Sequence, residues 1–284
     1  MTIAFASGAD FLDLDEDLPL LLDAARERGV AAEIAVWDDP TVSWAEYDSV
    51  IVRSCWDYFT RRDEFLAWTA SVPRLHNSHD VISWNTDKIY LRQLQAAGVP
   101  IIETRWDIAP GDDLGDHEEW VVKPTVSGGS RDTARWTSPD DVYAHAGELA
   151  AAGRTSMTQP YISSVDDEGE TAMLFLGGEF SHAIRKAPIL ARGEGVRQDR
   201  DGRGENPMVR EPSEAQHRVA RQALAATDEI LGGAAGLMYA RVDLVTAADG
   251  SPMIIELELT EPSLFLPWAE DGAGRLVDAI AATL

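Results

Sequence analysis

The amino-acid sequence predicts a mixed α/β protein of two or three lobes, in which a small parallel sheet is followed by antiparallel hairpins. Short apolar segments alternate with helical segments over residues 1–84, which is the pattern of a parallel sheet. Two later pairs of strand segments are joined by Gly177-Gly178 and by a turn ending at Gly250, sequences typical of antiparallel hairpins. A chain of 284 residues is also long enough to divide into more than one compact lobe.

Hydrophobic periodicity and helix-capping residues place the individual elements. In the first lobe we expect strands at residues 3–6, 31–36 and 49–52 and helices at about 17–28 and 62–70. In a second unit, 85–162, we expect a helix at 88–97, an extended segment at 101–104, strands at 120–124 and 156–159, and a helix start at Ser138-Pro139. In a third unit, 163–284, we expect hairpins at 171–184 and 238–259, a mobile polar loop at 192–212, and a helix from Ser213 with Gln216 in a capping box.

The composition excludes several classes of protein. The formal net charge of −25 and the lack of any basic stripe exclude a nucleic-acid partner. No apolar run reaches the roughly 18 residues that span a bilayer, so no membrane partner is expected. The first residues lack the basic start of a signal peptide, which predicts a cytoplasmic protein. The single cysteine, Cys55, excludes an intramolecular disulfide and a multi-cysteine metal site.

Charged residues alternate with apolar ones on the predicted hairpin at 238–259. Arg241 and Asp243 share one face of its first strand, and Glu256 and Glu258 share one face of the second. Carboxylates crowded on facing strands repel one another unless cations hold them, and such oxygen ligands suit Mg²⁺ or Mn²⁺. The alternative is a solvated outer face of alternating charge, and the pattern favours metal binding by a small margin.

Two lysines lie in settings that suit phosphate binding. Lys123 ends an apolar strand and precedes a glycine–serine loop whose N–H groups can cradle phosphate oxygens; the loop residues are Ser127, Gly128, Gly129 and Ser130. Lys88 starts a helix, which is the wrong end for a cation if only the helix dipole mattered. The alternative is that both are surface lysines, and the loop is not a Walker A motif.

A strand end at residues 159–162 can present backbone groups to an adenine edge. This segment contains Gln159, Tyr161 and Ile162. Glu170 follows eight residues after Ile162, where its carboxylate could accept hydrogen bonds from ribose hydroxyls. The alternatives are an ordinary strand end and a solvated glutamate.

Taken in this order, the segments resemble the ATP-grasp superfamily. The resemblance runs from Asn85 to Pro267 and is carried by Asn85-Thr86-Asp87-Lys88, Val121-Val122-Lys123-Pro124, residues 159–162 with Glu170, Arg241-Val242-Asp243 and Glu256-Leu257-Glu258. It implies an ATP-grasp fold preceded by a small parallel α/β domain, the pre-ATP-grasp domain, at residues 1–84. Residues 85–162 would form the small ATP-grasp subdomain, and residues 163–284 the large one.

The resemblance also implies roles for these residues. Lys88, Lys123 and the glycine loop would bind the phosphates of ATP, residues 159–162 would form the adenine hinge, Glu170 would hold the ribose, and Asp243 and Glu256 would carry Mg²⁺. Arg241 matches the arginine that stabilises the tetrahedral intermediate in the D-alanine–D-alanine ligase branch. One departure is Glu258, which stands where the family usually has asparagine. A carboxylate there can still bind a metal ion, but its extra charge alters the expected number or affinity of the ions.

Within the superfamily, three segments look like the D-cycloserine synthetase (O-ureido-D-serine cyclo-ligase) type of small ATP-grasp enzyme. They are residues 53–58, 178–186 and 256–265.

The expected reaction is ATP-dependent activation of a carboxylate as an acylphosphate, followed by attack of an amine. Arg241, with backbone N–H groups near Ser263, would stabilise the oxyanion. Arg185, Lys186 and Arg197 flank or lie in the predicted loop and would close over the substrate and phosphate. Arg53 and Asp57 are candidates to hold the substrate's carboxyl and amino groups, with an internal salt bridge as the alternative.

Three functions remain in competition at this level. The first is a ligase that joins two small molecules through an amide bond. The second is a cycloserine-type cyclisation, in which a ureido group is activated and the substrate's own aminooxy nitrogen closes the ring. The third is a non-catalytic nucleotide-binding protein, which the presence of Lys88, Lys123, Asp243 and Glu256 disfavours. The resemblance suggests a homodimer, and small molecules are the expected partners.

Overall fold

The computed structural model describes residues 1–198, 206–233 and 235–284. The strands are β1 (Thr2–Ser7), β2 (Ala31–Val36), β3 (Ser49–Val52), β4 (Leu75–His76), β5 (Arg105–Trp106), β6 (Trp120–Pro124), β7 (Ala134–Trp136), β8 (Ser156–Pro160), β9 (Glu170–Leu176), β10 (Glu179–Lys186), β11 (Met208–Val209), β12 (Tyr239–Thr246) and β13 (Pro252–Glu258). The α-helices are α1 (Asp17–Glu27), α2 (Arg62–Ser71), α3 (His79–Asn85), α4 (Tyr90–Ala96), α5 (Pro139–Ala151), α6 (Ser164–Glu168), α7 (Glu214–Ile230) and α8 (Gly272–Ala281). Turns of 3-10 helix lie at Ala9–Phe11, Trp44–Glu46, Tyr58–Thr60 and Leu266–Trp268.

The first lobe is built on the predicted parallel sheet, with strand order β2-β1-β3-β4. Its central strands are apolar and buried on both faces, as parallel strands between two layers should be. Trp37, Phe65 and Trp68 pack as an aromatic cluster on one face. On the other face, Ile3 and Phe5 of β1 share a core with helix α1 and the C-terminal helix α8.

A four-stranded antiparallel sheet, β5-β8-β6-β7, forms the second lobe. Val121 of β6 lies opposite Gln159 of β8, so the strand that ends near Lys123 runs beside the predicted adenine hinge. Helix α5 covers this sheet with Val142 and Leu149. The pairing of β6 with β8 therefore places the segment that contains Lys123 next to residues 159–162.

The third lobe is a five-stranded antiparallel sheet, β11-β10-β9-β12-β13. Successive residues of β9 alternate between two cores, because the sheet is covered on both faces. Gly177 and Gly178 form the β9–β10 turn with positive φ angles of 59° and 83°, which other residues rarely adopt. A Cβ atom at Gly177 would also lie 2.7 Å from Cβ of Ala279, so this turn packs closely against α8.

The hydrophobic cores do not follow the predicted boundaries between the three units. Leu91 and Leu94 of α4 pack with α7 on one face of the five-stranded sheet, although they belong to the unit predicted at 85–162. Leu276 and Ile280 of the C-terminal helix share a core with β1 and α1 of the first lobe. The reason is that apolar faces pair by proximity in space, which the order of the chain does not specify.

The structure confirms most predicted elements and changes two of them. Both hairpins form, and Ser213 and Gln216 make the predicted capping box at α7. The helix expected at 88–97 is shorter, since α4 begins at Tyr90. The extended segment at 101–104 joins no sheet strand except through a single bridge from Ile101 to Ile254. Of the loop expected to be mobile at 192–212, residues 199–205 lie outside the described part of the chain.

Among the described helices, none has the length and apolar character that crossing a lipid bilayer demands.

Candidate active site

A cavity of about 600 Å³ opens between the three lobes. It receives side chains from both antiparallel sheets, from the glycine loop and from the first lobe. Its walls include Lys88, Lys123, Ser127, Gly128, Gly129, Ser130, Gln159, Tyr161, Ile162, Glu170, Lys186, Arg197, Arg241, Glu256, Glu258 and Ser263. Nearly all the residues singled out from the sequence therefore lie around one space.

All the lysines of this chain lie at this cavity. The sequence contains only Lys88, Lys123 and Lys186, and arginine supplies every other basic side chain. Each of the three lines the cavity, although they come from distant positions along the chain. Lysine is a compact, strongly hydrated point charge that binds phosphate without a fixed geometry, whereas arginine binds carboxylate or phosphate through a planar fork. Their common location indicates a binding site for a highly charged anion.

The β12–β13 hairpin brings the four predicted charged residues together on one face. Asp243 lies opposite Glu256, and Arg241 lies opposite Glu258. The Arg241 Nε donates to Asp243 Oδ1 at 2.9 Å, and another nitrogen of this guanidinium contacts the Glu258 carboxylate. The Asp243 and Glu258 carboxylates on this face are therefore paired with the guanidinium of Arg241, and the face is not a solvated outer surface.

Lys186 of β10 completes this arrangement. Its Nζ lies 2.6 Å from Asp243 Oδ2 and 2.8 Å from Glu170 Oε2. Asp243 is 1% exposed and does not itself reach the cavity wall, since Lys186 and Arg241 stand at that wall. Glu170, predicted to hold a ribose, is here a partner of Lys186.

Lys88 precedes α4 and reaches across to the hairpin. Its Nζ lies 3.1 Å from Glu256 Oε1 and donates to the carbonyl oxygen of Ser127 at 2.9 Å. The position that looked unfavourable for the helix dipole is therefore explained by contacts with the glycine loop and the acidic hairpin. Lys88 is 8% exposed, so it is not a surface lysine.

Lys123 differs from the other two lysines because it forms no ion pair within the described residues. Burial lowers the pKa of Lys123, and the nearby ammonium groups of Lys88 and Lys186 lower it further, against the attraction of Glu256. A half-buried cation in this setting is stabilised by an anionic ligand.

The hairpin carboxylates differ in their affinity for protons. Burial acts to raise the pKa of Asp243, but Arg241 and Lys186 outweigh it and hold the pKa below its ordinary value. The pKa of Glu256 is likewise held low, because Lys88 and Lys123 outweigh burial. Burial raises the pKa of Glu258 to about 8 despite Arg241, and the neighbouring acids add to the rise. Asp243 and Glu256 are therefore ionised at neutral pH.

The glycine loop bends sharply at the cavity. Gly129 and Ser130 have φ angles of 60° and 57°, and Ser127 Oγ donates to the carbonyl oxygen of Arg131 at 2.7 Å. A Cβ atom at Gly128 would lie 3.2 Å from the ring of Phe59, so the loop fits closely against the first lobe. Consecutive backbone N–H groups in such a bend form a concave site for anions.

The predicted adenine hinge is held by a charged network. Arg135 lies 3.4 Å from the centre of the Tyr161 ring and makes two bonds of 3.1 Å to Asp166. The Tyr161 hydroxyl donates to Asp166 at 2.6 Å, and Arg135 also contacts Glu119. These contacts fix residues 159–162 in place, and the sequence did not reveal Arg135 because its partners are far away in the chain.

Three residues expected to contact substrate do not line the cavity. Arg53 is fully buried and bonds to Asp17 at 3.3 Å and to the carbonyl oxygen of Pro262 at 2.7 Å. Asp57 pairs with Arg61 at 2.6 Å. Arg185 points the other way, with its Nε donating to the carbonyl oxygen of Glu168 at 2.7 Å. Both first-lobe residues form internal ion pairs, Arg53 with Asp17 and Asp57 with Arg61, but they do not pair with each other.

The first lobe contributes cavity residues that the sequence did not single out. Asp15, Glu16 and Trp56 line the wall together with Glu261 from the segment after β13. Asp15 is 5% exposed; its Oδ1 accepts from the backbone of Asp17 at 2.9 Å, whereas its Oδ2 has no hydrogen-bond partner among the described residues. A run of acids at a helix start is common on protein surfaces, so only the fold distinguishes Asp15.

Two buried asparagines hold the acidic hairpin in position. Asn85 Nδ2 donates to the carbonyl oxygen of Leu257 at 2.8 Å, and its Oδ1 accepts from the N–H of Leu259 at 2.8 Å. Asn77 donates to the carbonyl oxygens of Tyr239 and Leu259. Asn85 of the sequence motif therefore holds the strand that bears Glu256 in place through two backbone hydrogen bonds.

The donor set fits a divalent cation shared with a nucleotide. No three acidic, histidine or cysteine side chains of the described residues converge on one point, so a cage made only of protein ligands does not form there. Mg²⁺ commonly takes one or two carboxylates together with phosphate oxygens. Asp243 and Glu256, ionised and opposite each other, provide such a pair beside the three lysines.

Comparison with known proteins decides the family. The family model described as the N-terminal domain of D-cycloserine synthetase DcsG matches residues 3–77. The cycloserine biosynthesis protein DcsG of Streptomyces lavendulae is 39% identical over 303 aligned residues, which cover 99% of this chain and 98% of that protein. The chain belongs to the DcsG family of ATP-grasp enzymes.

Solved structures support the assignment of the chain to the DcsG family. The crystal structure of D-cycloserine synthetase DcsG matches with a TM-score of 0.90 and 38% identity, covering 100% of this chain and 99% of that one. A D-alanine–D-alanine ligase from Bacillus anthracis matches with a TM-score of 0.62 and 17% identity over 100% and 97% of the two chains, which shows the common fold. As a member of the DcsG family, the chain is an ATP-dependent ligase that forms carbon–nitrogen bonds, and the non-catalytic alternative is excluded.

Proposed function

We propose that this chain activates the carboxylate of a small amino-acid-like substrate with ATP and lets a nitrogen attack the activated carbon, giving ADP and phosphate. One observation carries the proposal: all three lysines of the chain converge on one cavity that also holds the acidic hairpin. A nucleoside triphosphate with its metal ion suits such a site, because the phosphates can contact the lysines and the metal ion can contact the carboxylates.

The first step transfers the γ-phosphoryl group to a carboxylate oxygen, and the bond between the β–γ bridging oxygen and phosphorus breaks to release ADP. Lys88, Lys123 and Lys186 would bind the phosphates, and their charges offset the charge that develops on the transferred group. Asp243 and Glu256 would hold Mg²⁺, which when bound supplies further neutralisation of the phosphate oxygens.

In the second step, nitrogen attacks the carbonyl carbon of the acylphosphate, phosphate leaves, and the nitrogen loses a proton. Arg241 is placed to stabilise the oxyanion, since its guanidinium lies at the cavity wall and donates to the carbonyl oxygen of Ser263 at 3.3 Å. Arg197 lies in the same wall, where it can close over the phosphates.

The first lobe supports an amino-acid substrate. In place of Asp57, we assign the substrate's ammonium group to Asp15, whose buried Oδ2 has no hydrogen-bond partner at the cavity wall. A buried carboxylate oxygen without a partner is costly unless a ligand or water supplies a donor. The aromatic ring of Trp56, in the same wall, suits a neighbouring ammonium group.

Between the two enzyme reactions, the comparisons favour the intramolecular one. The 39% identity to a cycloserine biosynthesis protein extends over nearly the whole of both chains, including the lobe expected to select substrate. We therefore infer that the attacking nitrogen belongs to the same molecule as the activated carboxyl, so that a ring forms, as antibiotic biosynthesis of the cycloserine type requires. A cytoplasmic location and a homodimer remain predictions of the sequence.

The test is a screen of amino acids and ureido compounds, including O-ureido-D-serine, for ATP-dependent phosphate release, with products identified by mass spectrometry. A ring from one substrate supports the cyclo-ligase, and a condensation product from two supports the intermolecular ligase. In Lys123→Met we expect turnover to fall by about 100-fold or more, because an electrostatic contact to the transferring phosphoryl is lost. Arg26→Met, a surface arginine paired with Asp23, is the matched control. Unchanged turnover in Lys123→Met would contradict the phosphate assignment.

A further inference from the structure

The carboxylates assigned to the metal ion are already occupied by the chain's own cations. Lys186 Nζ lies 2.6 Å from Asp243 Oδ2, and Arg241 binds the other oxygen at 2.9 Å. On the facing strand, Glu256 Oε1 contacts Lys88 Nζ at 3.1 Å. The candidate metal ligands and the candidate phosphate lysines are therefore in contact with each other.

A divalent cation that arrives alone meets two obstacles at this site. It has to displace an ammonium group from a carboxylate that is 1% exposed, and the displaced Lys186 remains within a few ångströms of it. Lys186 is itself 7% exposed and is held by a second carboxylate, Glu170 Oε2 at 2.8 Å, so its ammonium group stays close to Asp243. Repulsion between like charges that are poorly solvated is strong.

A nucleotide removes both obstacles, because its phosphates offer the lysines new partners. Lys88 already contacts the glycine loop through the carbonyl oxygen of Ser127, so phosphates bound by that loop lie within reach of its Nζ. Once Lys88 and Lys186 turn to the phosphates, Glu256 Oε1 and one lone pair of Asp243 Oδ2, which keeps its 3.0 Å bond from Arg241, become available to a cation. The two lysines then have phosphate partners, and the two carboxylates have the cation.

We propose that Lys186 and Lys88 act as built-in cations that block the metal site until a nucleotide binds, so that divalent cation and nucleotide bind only together. The proposal rests on the proposed function, since it concerns the same site. It assigns Lys186 a second role besides phosphate binding, which is to keep Asp243 closed to free metal ions.

The test measures Mn²⁺ binding to the purified enzyme through the electron paramagnetic resonance signal of free Mn²⁺, with and without the β,γ-imido analogue of ATP. We expect at least tenfold weaker Mn²⁺ binding to the wild-type enzyme without the analogue. In Lys186→Met, which keeps the long apolar stem but removes the charge, Mn²⁺ should bind without the analogue at least tenfold more tightly than to wild type. Lys186→Arg keeps a cation and is the matched control, expected to behave as wild type.

A second measurement follows the lysines of the wild-type chain directly, and variants serve only to assign the signals. Because the chain has only three lysines, ¹³Cε-lysine labelling gives three side-chain signals, which single Lys→Arg variants assign. Mg²⁺ alone should leave the signals of Lys88 and Lys186 in place, and Mg²⁺ with the analogue should shift both.

The outcomes separate the two proposals. Equal Mn²⁺ affinity with and without the analogue, or lysine signals that shift with Mg²⁺ alone, would overturn the block while leaving the nucleotide site intact. Failure of the analogue to bind at all would overturn the proposed function itself.

Discussion

The proposed role of Asp15 in binding the substrate's ammonium group follows from its position in the fold and not from its sequence context. Its Oδ1 accepts from the Asp17 backbone at the start of α1, and its Oδ2 is buried at the cavity wall without a partner. In sequence it is one of several acids between residues 10 and 17.

Asp15→Asn keeps the oxygen that caps α1 but removes the negative charge. We expect KM for the amino-acid substrate to rise about tenfold or more, because a charge-assisted hydrogen bond to an ammonium is lost. The affinity for the ATP analogue should stay the same, since the lysines that bind it are untouched. Steady-state kinetics and calorimetric titration provide the two values. Asp13→Asn, an exposed neighbour that does not line the cavity, is the control.

The contacts of His182 are those of a structural residue. Nε2 donates to the carbonyl oxygen of Leu264 at 2.9 Å, so Nδ1 of the neutral ring accepts from Ser181 at 2.8 Å. Burial lowers the pKa of His182 to about 4, despite the carbonyl contact. The neutral ring thus fastens β10 to the segment that carries Ser263.

The depressed pKa of His182 predicts a stability change with pH. The folded protein disfavours the protonated ring, so this contribution to the free energy of unfolding is complete above the ordinary pKa of about 6.5 and decreases as pH falls toward about 4. In His182→Asn the melting temperature should fall less steeply than in wild type between pH 6.5 and 4. Parallel slopes in the two proteins, measured by thermal denaturation, would contradict this linkage.

At the scale of elements, the segment after β10 joins two sheets across the cavity. The backbone N–H of Arg197 bonds to the carbonyl oxygen of Thr133 at 2.9 Å, and Arg135 donates to Leu190 at 3.5 Å. Arg192 contacts Glu119, which is also a partner of Arg135. Residues 192–198 of the loop predicted to be mobile are therefore bonded to the small antiparallel sheet beside the predicted adenine hinge.

Arg192→Ala removes one tie between this segment and the small sheet. The Arg192 side chain is 62% exposed, and exposed ion pairs contribute at most about 1 kcal/mol. We therefore expect ATP dissociation to accelerate by no more than about fivefold, with the melting temperature nearly unchanged. Stopped-flow release of a fluorescent ATP analogue measures the rate. A slower release would contradict the role of the contact in closure.

At the scale of the whole molecule, the C-terminal helix couples the first lobe to the largest sheet. Ile280 and Leu276 are fully buried in a core that also contains Phe5 and Leu18. The two ends of the chain therefore contribute to one core, and the predicted lobes should not unfold separately.

Ile280→Ala should lower the free energy of unfolding by about 2–5 kcal/mol, because it leaves a cavity in this shared core. Tryptophan fluorescence, to which nine tryptophans distributed over the three lobes contribute, and far-ultraviolet circular dichroism should show the same transition. Leu284→Ala, at a side chain that is 54% exposed, is the matched control. Separate transitions in the two signals would show that the lobes unfold independently.

The sequence by itself determined the features that depend on local order along the chain. Alternation along β12 and β13 fixed which face bears Arg241, Asp243, Glu256 and Glu258, because side chains of a strand point to opposite faces in turn. Glycines fixed the β9–β10 turn, and Ser213 with its capping partner fixed the start of α7. The order of these segments was enough to indicate the fold.

Only the tertiary structure decided which charges meet. Lys186 pairs with Asp243 over 57 residues, Arg53 with Asp17 over 36, and no periodicity in the chain encodes either pairing. The sequence offered Arg53 and Asp57 as candidates for substrate contact, with an internal salt bridge as the alternative. The fold buries Arg53, pairs Asp57 with Arg61, and brings Asp15 to the cavity wall. The physical reason is that ion pairs and cavities form between surfaces of packed elements, and packing is decided by the shapes of whole apolar faces.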